Sequence, residues 1–533
     1  MKIRKTALVL GFAVATALFA PFYGPEILAN AATPADDLDK DMKSVASAFS
    51  LIEKNFADPI SSEKAFYQGA IPGMLHTLDP HSNFVDPAEY KEMQRRQRAR
   101  YYGVGMQITM EGPNVVVMEP FVNSPAWNAG LRRGDIISAV DGVNTAGMDS
   151  AAVADKLRGE KGTPVKVTVK RDPAEPYSVT VTRGGIETSV VDAFWAKPGI
   201  AYLGVKTFEA QNVGRDTEAL MNKLGEQNVN GLILDLRNNL GGLVTEAVTL
   251  AGRFLRNNQV VVSHRGRAEQ EQMFRAKANP LAQKYPIVVL VNNSSASASE
   301  IVSGALQDHD RGWIMGETTF GKGLVQAQFP LSEGAALLLT IAHYYTPSGR
   351  LIQRDYSKGS FFDYYYSRPK EDADQSNNKD VKATDSGRKM YGGGGITPDE
   401  KIASVKLNIF QRRMGPQEAP NWFYRFANQY FKGQKPVVQT GWQPDDAVVE
   451  NFRQFLNGHR TQQHVTYTDE EFKDNKQWIA GQIRWEFYFR AFDRATAERA
   501  KWADDPQVLK AIESLPKAQN LLSTAQKVYA MRR

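Results

Sequence analysis

Apolar and polar positions alternate in blocks through the middle of the chain, and the blocks switch between two periods. Short β-branched runs predict buried strands, and segments with apolar residues three and four apart predict helices between them. From residue 200 onward the predicted elements are the strand Gly231–Leu236, the helix Val244–Phe254, the strands Val260–Ser263 and Ile287–Val291, a helix from Ala296, and strands at Trp313–Met315 and Ala336–Tyr345. This alternation of strands and helices predicts an α/β core with much parallel pairing.

The segments around this core have different patterns. The chain is predicted to contain an export signal at 1–31, an N-terminal helical region at 37–100, a β-rich domain at 101–185, the α/β core at 190–400 and a C-terminal helical extension at 401–533. Within the core, residues 358–395 become polar and charged, which predicts a mobile surface insert. Aromatic stripes in the extension predict side chains that pack against one another rather than a cofactor site.

Composition and charge narrow the class of protein. The 533 residues are 42% hydrophobic and 23% charged, and the formal net charge of +6 comes without a dense basic tract, so nucleic acid is not an expected partner. A basic start, the apolar stretch Ala7–Ala20 and the small residues Ala29 and Ala31 predict export to the periplasm. No later segment has the ~20 apolar residues that cross a bilayer. Membrane association is therefore expected only through an uncleaved signal, and without cysteine the fold has no disulfides.

The β-rich domain carries a recognisable order of motifs. A glycine-bounded turn at residues 102–105 precedes a predicted strand at Asn114–Met118, and SPAWNAGLRRGDII follows that strand. From about Tyr102 to Arg183 this order resembles a PDZ domain. The resemblance implies that a peptide adds as a strand at the sheet edge and that its terminal carboxylate binds the amides of Tyr102, Gly103, Val104 and Gly105. A small β-domain without a ligand is the alternative.

A serine cluster lies where the strand Ile287–Val291 passes into a helix. Backbone N–H groups at a helix start are unpaired, and the helix dipole there favours developing negative charge. Ser297 is therefore a candidate nucleophile. A serine hydroxyl needs a base, and Lys322, between Gly321 and Gly323, can supply one if apolar neighbours keep its amine neutral.

Three further residues complete this hypothesis. Gln326, four residues after the lysine, can orient the amine by a hydrogen bond. The N–H groups of Ala298 and of Gly242, the latter in the glycine-rich turn after a buried strand, are the candidate donors to an oxyanion. Each feature also has a common structural alternative. Serines at helix starts usually act as caps, and a lysine between glycines is usually an exposed turn residue.

Other kinds of site are weaker candidates. Residues 316–322 match the G-x-x-x-x-G-K pattern of a phosphate-binding loop, but Gly323 replaces the required Ser or Thr and a strand-like segment follows, so no nucleotide is expected. His309 and His343 leave a Ser/His/Asp triad open, although the charged neighbours of His309 predict a solvated side chain. His81 beside Asp79 is predicted to belong to a capped turn. No metal or other cofactor is expected.

Taken together, these motifs resemble those of the carboxyl-terminal processing (tail-specific) proteases. The resemblance covers most of residues 40–400 and rests on GAIPGMLHTLDPHS, the PDZ segment, LDLRNNLGGL, SASASEI, TFGKGLVQ, YYTPSGR and GGGGITPD. It implies a ClpP/crotonase-like α/β protease core with an inserted PDZ domain, N-terminal helices and a C-terminal helical extension. It also implies a nucleophile, a general base, an assisting amide and two oxyanion donors at Ser297, Lys322, Gln326, Gly242 and Ala298.

One residue departs from the family pattern. Leu240 occupies a position where the family often has proline, and we expect the turn to remain usable.

The resulting prediction is an exported serine endopeptidase that cleaves protein substrates near their C-termini. Its partners are proteins or peptides with free C-terminal tails, and a homo-oligomer or an adaptor is left open. Because the base must lose a proton first, activity is expected to rise with pH through a lysine pKa below the free value of ~10.4. The alternative is a non-catalytic PDZ-bearing scaffold that binds tails without cutting them.

Overall fold

The computed structural model describes residues 35–532 except 99, 172–173, 188, 269, 280–283, 358–363, 366–379, 416–420, 433, 435 and 460–464. The predicted export signal and most of the predicted insert lie outside these residues. Among the helices of the described segments, none combines the length and the apolar character that crossing a bilayer requires.

The chain divides into two compact units. The first contains the chain up to Pro87 together with Arg265–Glu271 and Gln326–Ala342. Its described helical segments are Ala35–Asn55, Ser62–Ala65, Phe66–Ala70 and Ile71–His76, and its strand Asn83–Val85 pairs antiparallel with residues 336–338. Leu75 and Phe84 are buried in a small apolar cluster, in which Tyr67 stacks on Phe84 with ring centroids 4.9 Å apart.

The β-rich domain of the second unit follows the helix Pro87–Gln97. Its main antiparallel sheet contains, in spatial order, Met106–Glu111, Asn114–Pro120, Ile136–Val140, Pro164–Lys170 and Tyr177–Thr182, and the short strand Val143–Asn144 pairs with the middle one. A second, two-stranded sheet pairs Arg100–Gly103 with Gly184–Glu187. The helices are Pro125–Asn128, capped by Ser124, and Ser150–Leu157, capped by Asp149. Met106–Glu111 is an edge strand of the main sheet, and an edge strand can accept a further strand.

A six-stranded sheet forms the centre of the α/β core. Its spatial order is Val191–Lys197, Ile200–Val205, Gly231–Asp235, Ile287–Val291, Gly312–Gly316 and Glu400–Lys401. The first pair is antiparallel and the other four pairs are parallel, as the alternation of strands and helices predicts. Ile287–Val291 is buried along its whole length, which explains its unbroken apolar sequence.

Helices cover both faces of this sheet. Val213–Leu224, Val244–Phe254 and Ala298–Asp308 pack on one face against alternate residues such as Leu232 and Val289. On the other face, Ile233, Val288 and Leu290 pack against Val508 and Leu515 of the helices Pro506–Glu513 and Leu515–Met531. The end of the C-terminal extension therefore forms a layer of the α/β core.

The rest of the extension has an aromatic core of its own. Its helices are Ile409–Met414, Trp422–Tyr430, Asp446–Gly458, Asp469–Asp474, Lys476–Ala491 and Arg494–Trp502. Phe423 stacks on Phe452 with ring centroids 4.7 Å apart, and Phe426 and Phe487 lie in the same cluster. The aromatic stripes therefore serve packing, as predicted.

A buried ion pair joins the β-rich domain to the extension. Arg133 Nη2 lies 2.8 Å from Glu486 Oε2, and the two side chains are 8% and 1% exposed. Glu486 also accepts a hydrogen bond from Arg490 Nε at 3.0 Å. Two guanidinium groups therefore share one buried carboxylate at this contact.

The prediction of a mobile insert at 358–395 is wrong for its C-terminal part. Val381–Ala383 and Lys389–Tyr391 pair as a hairpin. Arg388, in the connection between these strands, bonds to Asp310 at 2.7 Å and to Asp399 at 2.5 Å. Asp310 is 78 residues away from Arg388 in sequence, so a polar composition alone does not reveal that the segment is anchored.

The remaining elements are the strands Val260–Arg265, Gln272–Arg275, Leu324–Pro330 and Ala336–Tyr345, and the 3₁₀ turns Glu226–Asn228 and Ser332–Gly334.

Candidate active site

Ser297 lies at a strained position between the strand Ile287–Val291 and the helix Ala298–Asp308. Its backbone has φ +54° and ψ −111°, a conformation that a non-glycine residue adopts only when its surroundings enforce it. The flanking serines have structural roles. The Ser295 hydroxyl donates to the carbonyl of Leu236 at 2.8 Å, and the Ser299 hydroxyl donates to the carbonyl of Asn239 at 2.8 Å.

The glycine-rich turn after the strand Gly231–Asp235 lies directly against Ser297. Gly241 has φ +100°, and a Cβ placed there would be 2.8 Å from Ser297 Cβ and 2.9 Å from the Ala298 nitrogen. Only glycine fits this approach. Leu240, at the position where the resembled family often has proline, is 73% exposed, so its side chain leaves the turn unobstructed.

The amides next to Ser297 differ in their hydrogen bonds. The Gly241 N–H donates to Asn239 Oδ1 at 2.9 Å. For the N–H groups of Gly242 and Ala298, the described residues supply no acceptor. Main-chain donors are normally satisfied unless they face solvent or a ligand. These two amides therefore have the free donors that an oxyanion site requires.

The residues Thr319–Gly323, here called the lysine loop, meet the serine turn at one carboxylate. Glu300 is fully buried and accepts the N–H groups of Ser297 at 2.7 Å, Gly321 at 2.7 Å and Lys322 at 2.9 Å. The Thr319 hydroxyl donates to the same carboxylate at 2.5 Å. Burial raises the pKa of Glu300 to about 7, although the four donors favour its ionised form.

Glu300 is a site residue that the sequence patterns did not single out. The pattern Ser297-x-x-Glu300 is a capping box, and that signal could have identified a carboxylate directed back at the serine amide. Its bonds to Gly321 and Lys322 have no local sequence signal, because the lysine loop follows more than one element later.

Comparisons with known proteins show the family to which the chain belongs. Family profiles match peptidase family S41 at residues 199–358, a PDZ domain at 116–171 and the N-terminal domain of the activating protease CtpB at 25–88. A carboxy-terminal-processing protease of Bartonella bacilliformis is 39% identical over 300 residues, which cover 55% of this chain and 68% of that protein. The chain belongs to peptidase family S41.

Two other relatives give the same result for this S41 peptidase. A carboxyl-terminal-processing protease of Synechocystis is 38% identical over 312 residues, covering 57% of this chain and 72% of the relative. The carboxy-terminal processing protease CtpB of Bacillus subtilis is 30% identical over 338 residues, covering 62% and 70%. The protein is therefore a carboxyl-terminal processing serine protease with a PDZ domain.

Two predictions concern the residues that follow the lysine loop: one is confirmed and the other is not tested. The segment after Lys322 forms the strand Leu324–Pro330, as predicted, rather than the helix of a phosphate-binding loop. Gln326 begins a segment of the first unit, where its side-chain amide donates to the carbonyl of His81 at 2.6 Å. Its assistance to Lys322 stays a prediction.

Asp79 caps the turn that contains His81, as predicted, because its carboxylate accepts the His81 N–H at 2.7 Å.

The four predicted carboxylate-binding residues of the PDZ domain form two pairs. Tyr102 and Gly103 lie in a strand that pairs with Gly184–Glu187. Val104 and Gly105 follow that strand, and no acceptor for their N–H groups is found within the described part of the chain. The carbonyl of Val104 accepts the N–H of Ala126 at 2.7 Å, and that of Gly105 accepts the N–H of Phe121 at 3.0 Å, which fixes the orientation of the turn. The free donors are therefore those of Val104 and Gly105.

The prediction that His309 is solvated is wrong. Its side chain is 10% exposed, with Nδ1 2.8 Å from Asp385 Oδ2 and Nε2 2.8 Å from the carbonyl of Val260. Burial lowers the pKa of His309, but the Asp385 carboxylate and the Val260 carbonyl outweigh burial, so the pKa is raised overall. Both ring nitrogens are engaged there, so His309 does not complete a triad with Ser297.

Proposed function

We propose that this S41 peptidase is an exported endopeptidase that cleaves proteins near their C-termini, with Ser297 as the nucleophile and Lys322 as the general base. The observation that carries the proposal is the convergence of two main-chain segments on Glu300. Because one buried carboxylate accepts the N–H groups of both residues, their backbones are fixed close to each other. The free amides of Gly242 and Ala298 support an oxyanion site beside the same serine.

Acylation follows from these positions. The neutral amine of Lys322 accepts the hydroxyl proton of Ser297 while the oxygen attacks the scissile carbonyl carbon. The resulting oxyanion accepts hydrogen bonds from the N–H groups of Gly242 and Ala298. Collapse of the tetrahedral intermediate breaks the C–N bond, and the lysine returns the proton to the leaving amine.

Deacylation repeats the same steps with water. Lys322 takes a proton from the water molecule that attacks the ester of Ser297, and it then returns that proton to the serine oxygen. In this scheme Gln326 assists by orienting the amine of the lysine. Because the base must be neutral in both halves, activity is expected to rise with pH.

The PDZ domain is proposed to bind the substrate tail. A peptide would add antiparallel or parallel to the edge strand Met106–Glu111, with its carboxylate on the N–H groups of Val104 and Gly105 next to Tyr102 and Gly103. The N–H groups of Val104 and Gly105 provide one hydrogen-bond donor for each oxygen of a carboxylate. Recognition of a free C-terminus would then direct cleavage to the end of a substrate.

Peptide cleavage by matched variants tests the catalytic assignment. Ser297→Ala and Lys322→Ala are each expected to lower kcat by about 10³-fold or more. The controls Ser294→Ala, in the same turn, and Lys277→Ala, at an exposed position, should cleave at the wild-type rate. Normal cleavage by either site variant would refute the assignment, and a wild-type chain that binds tails without cutting them would favour the scaffold.

Export is tested separately. The N-terminal pattern predicts removal of residues 1–31, so the mature chain recovered from the periplasm should begin at Ala32. Intact-mass measurement of that chain decides the matter. A full-length mass would indicate an uncleaved signal that anchors the protein.

A further inference from the structure

We propose that Tyr344 is a positioning residue of the Ser297–Lys322 pair, because its buried hydroxyl lies between the carbonyl oxygens of those two residues and fixes their separation. The Tyr344 hydroxyl lies 3.0 Å from the carbonyl oxygen of Ser297 and closer still to the carbonyl oxygen of Lys322, so its single hydrogen is shared between the two acceptors in a three-centre hydrogen bond. This inference rests on the proposed function.

Tyr344 contacts the lysine loop at two points. Its main-chain N–H donates to the carbonyl of Gly323 at 2.9 Å, and its hydroxyl bonds to the carbonyl of the preceding residue. The ring itself is 1% exposed and belongs to the main apolar cluster of the core. The hydroxyl is therefore held in place by the packed ring, and the loop is held by the hydroxyl.

Tyr344 and Glu300 act on opposite ends of the same two residues. The carboxylate of Glu300 accepts the N–H groups of Ser297 and Lys322, whereas the hydroxyl of Tyr344 faces their carbonyl oxygens. The backbones of Ser297 and Lys322 therefore share one acceptor for their N–H groups and one hydroxyl for their carbonyl groups. We call this arrangement the backbone clasp.

The strained backbone of Ser297 needs several hydrogen bonds to hold it, and the clasp supplies part of them. A residue at φ +54° persists only where several bonds over-determine it. The carbonyl of Ser297 also accepts the N–H groups of Glu300 at 2.8 Å and Ile301 at 3.0 Å, which belong to its own helix. Tyr344 adds a contact from outside that helix, and because the same hydroxyl contacts Lys322, it couples the position of the serine turn to that of the lysine loop.

The hydroxyl remains a donor over the working range of pH. Burial, together with the nearby Glu300 carboxylate, raises the pKa of Tyr344 well above 10. Two carbonyl oxygens face the hydroxyl, and a phenolate could donate to neither.

Tyr344→Phe removes the hydroxyl and keeps the ring. With a fluorogenic peptide that ends in an apolar tail and a free carboxylate, we expect kcat to fall about 10- to 100-fold. KM should change less than twofold, because the tail binds at the PDZ domain. The matched control is Tyr285→Phe, which removes an equally buried hydroxyl that donates to Glu226 at 2.7 Å. Tyr285→Phe should lose stability without losing kcat.

A second variant isolates the donor. Replacing Tyr344 with p-aminophenylalanine keeps a donor at the same ring position, and its kcat should lie within threefold of wild type. If the phenylalanine variant does not fold, this variant decides alone: a kcat near wild type supports the proposal, and a tenfold fall overturns it.

Two results would overturn the role of Tyr344 while leaving the proposed function intact. One is a Tyr344→Phe enzyme with the kcat of the Tyr285→Phe control. The other is an equal loss of kcat in the phenylalanine and p-aminophenylalanine variants. Failure of the proposed function would appear differently, as full activity of Ser297→Ala in the same assay.

Discussion

Replacing Gly241 with alanine is expected to remove most of the peptidase activity while the protein still folds. A Cβ at this position would lie 2.7 Å from the Ala296 oxygen, 2.8 Å from Ser297 Cβ and 2.9 Å from the Ala298 nitrogen. Favourable heavy-atom contacts lie at about 3.5–4.0 Å, so the serine turn would have to move by roughly 0.6–1.3 Å. A misplacement of about 1 Å at a reacting group can cost about 10²-fold in rate.

The backbone penalty must be separated from this displacement. Gly241 has φ +100°, and an L-residue in a left-handed conformation costs about 1–2 kcal/mol. Gly441→Ala is the matched control, because Gly441 has φ +92° and its new methyl group would meet no atom of a non-neighbouring residue within 4 Å. Gly441→Ala should lose about 1–2 kcal/mol of unfolding free energy in urea, and Gly241→Ala should lose about 1–3 kcal/mol more because its methyl group clashes with the serine turn.

Steady-state kinetics on the tail peptide then distinguishes the two variants. Gly241→Ala should lower kcat by about 100-fold, and Gly441→Ala should leave kcat and KM unchanged. Equal activity of the two variants would refute the reasoning, because it would mean that the glycine turn does not support the nucleophile.

Three further predictions concern buried charge. Because the folded state raises the Glu300 pKa from 4.5 to about 7, it binds the proton more tightly than the unfolded state. The free energy of unfolding should therefore fall by about 3 kcal/mol as the pH rises from 4.5 to 7. Glu300→Gln should remove this slope in urea titrations, and parallel slopes would contradict it. The raised pKa of His309 stabilises the fold below pH 6.5, and this contribution is lost as pH rises through the folded pKa. Asp385→Asn should lower the pKa of His309, measured by NMR titration, and an unchanged pKa would refute the His309–Asp385 pair. Glu486→Gln leaves two buried guanidinium groups unpaired and should cost about 3–5 kcal/mol, whereas the exposed control Glu450→Gln should cost under about 1 kcal/mol. Equal costs would contradict the buried contact.

Strong local periodicity explains which elements were predictable. The bounds of Val244–Phe254, Ile287–Val291 and Ala336–Tyr345 agree with the prediction because each carries a continuous or periodic apolar pattern with clear breaks at both ends. The helix predicted from Ala296 begins at Ala298, since the strained serine precedes it. A backbone conformation of that kind depends on bonds from distant segments and has no sequence pattern of its own.

Long-range pairing explains what the sequence did not reveal. The amphipathic helices Pro506–Glu513 and Leu515–Met531 were predictable as helices, but their pattern does not indicate that they cover the peptidase sheet. The environment of His309 depends on Asp385, and the clasp depends on Tyr344 bonding across two loops. The candidate nucleophile and base were recognisable from motifs, whereas the contacts that Glu300 and Tyr344 make with them were not.

Trapping the acyl-enzyme tests the central claim most directly. A tail peptide with an ester at the scissile position would be mixed with the mature enzyme, quenched in acid and analysed by peptide mass mapping. The account predicts that the acyl fragment is found on the peptide containing Ser297 and is absent from Lys322→Ala. An acyl group on another residue, or full cleavage with Ser297 replaced by alanine, would contradict the account.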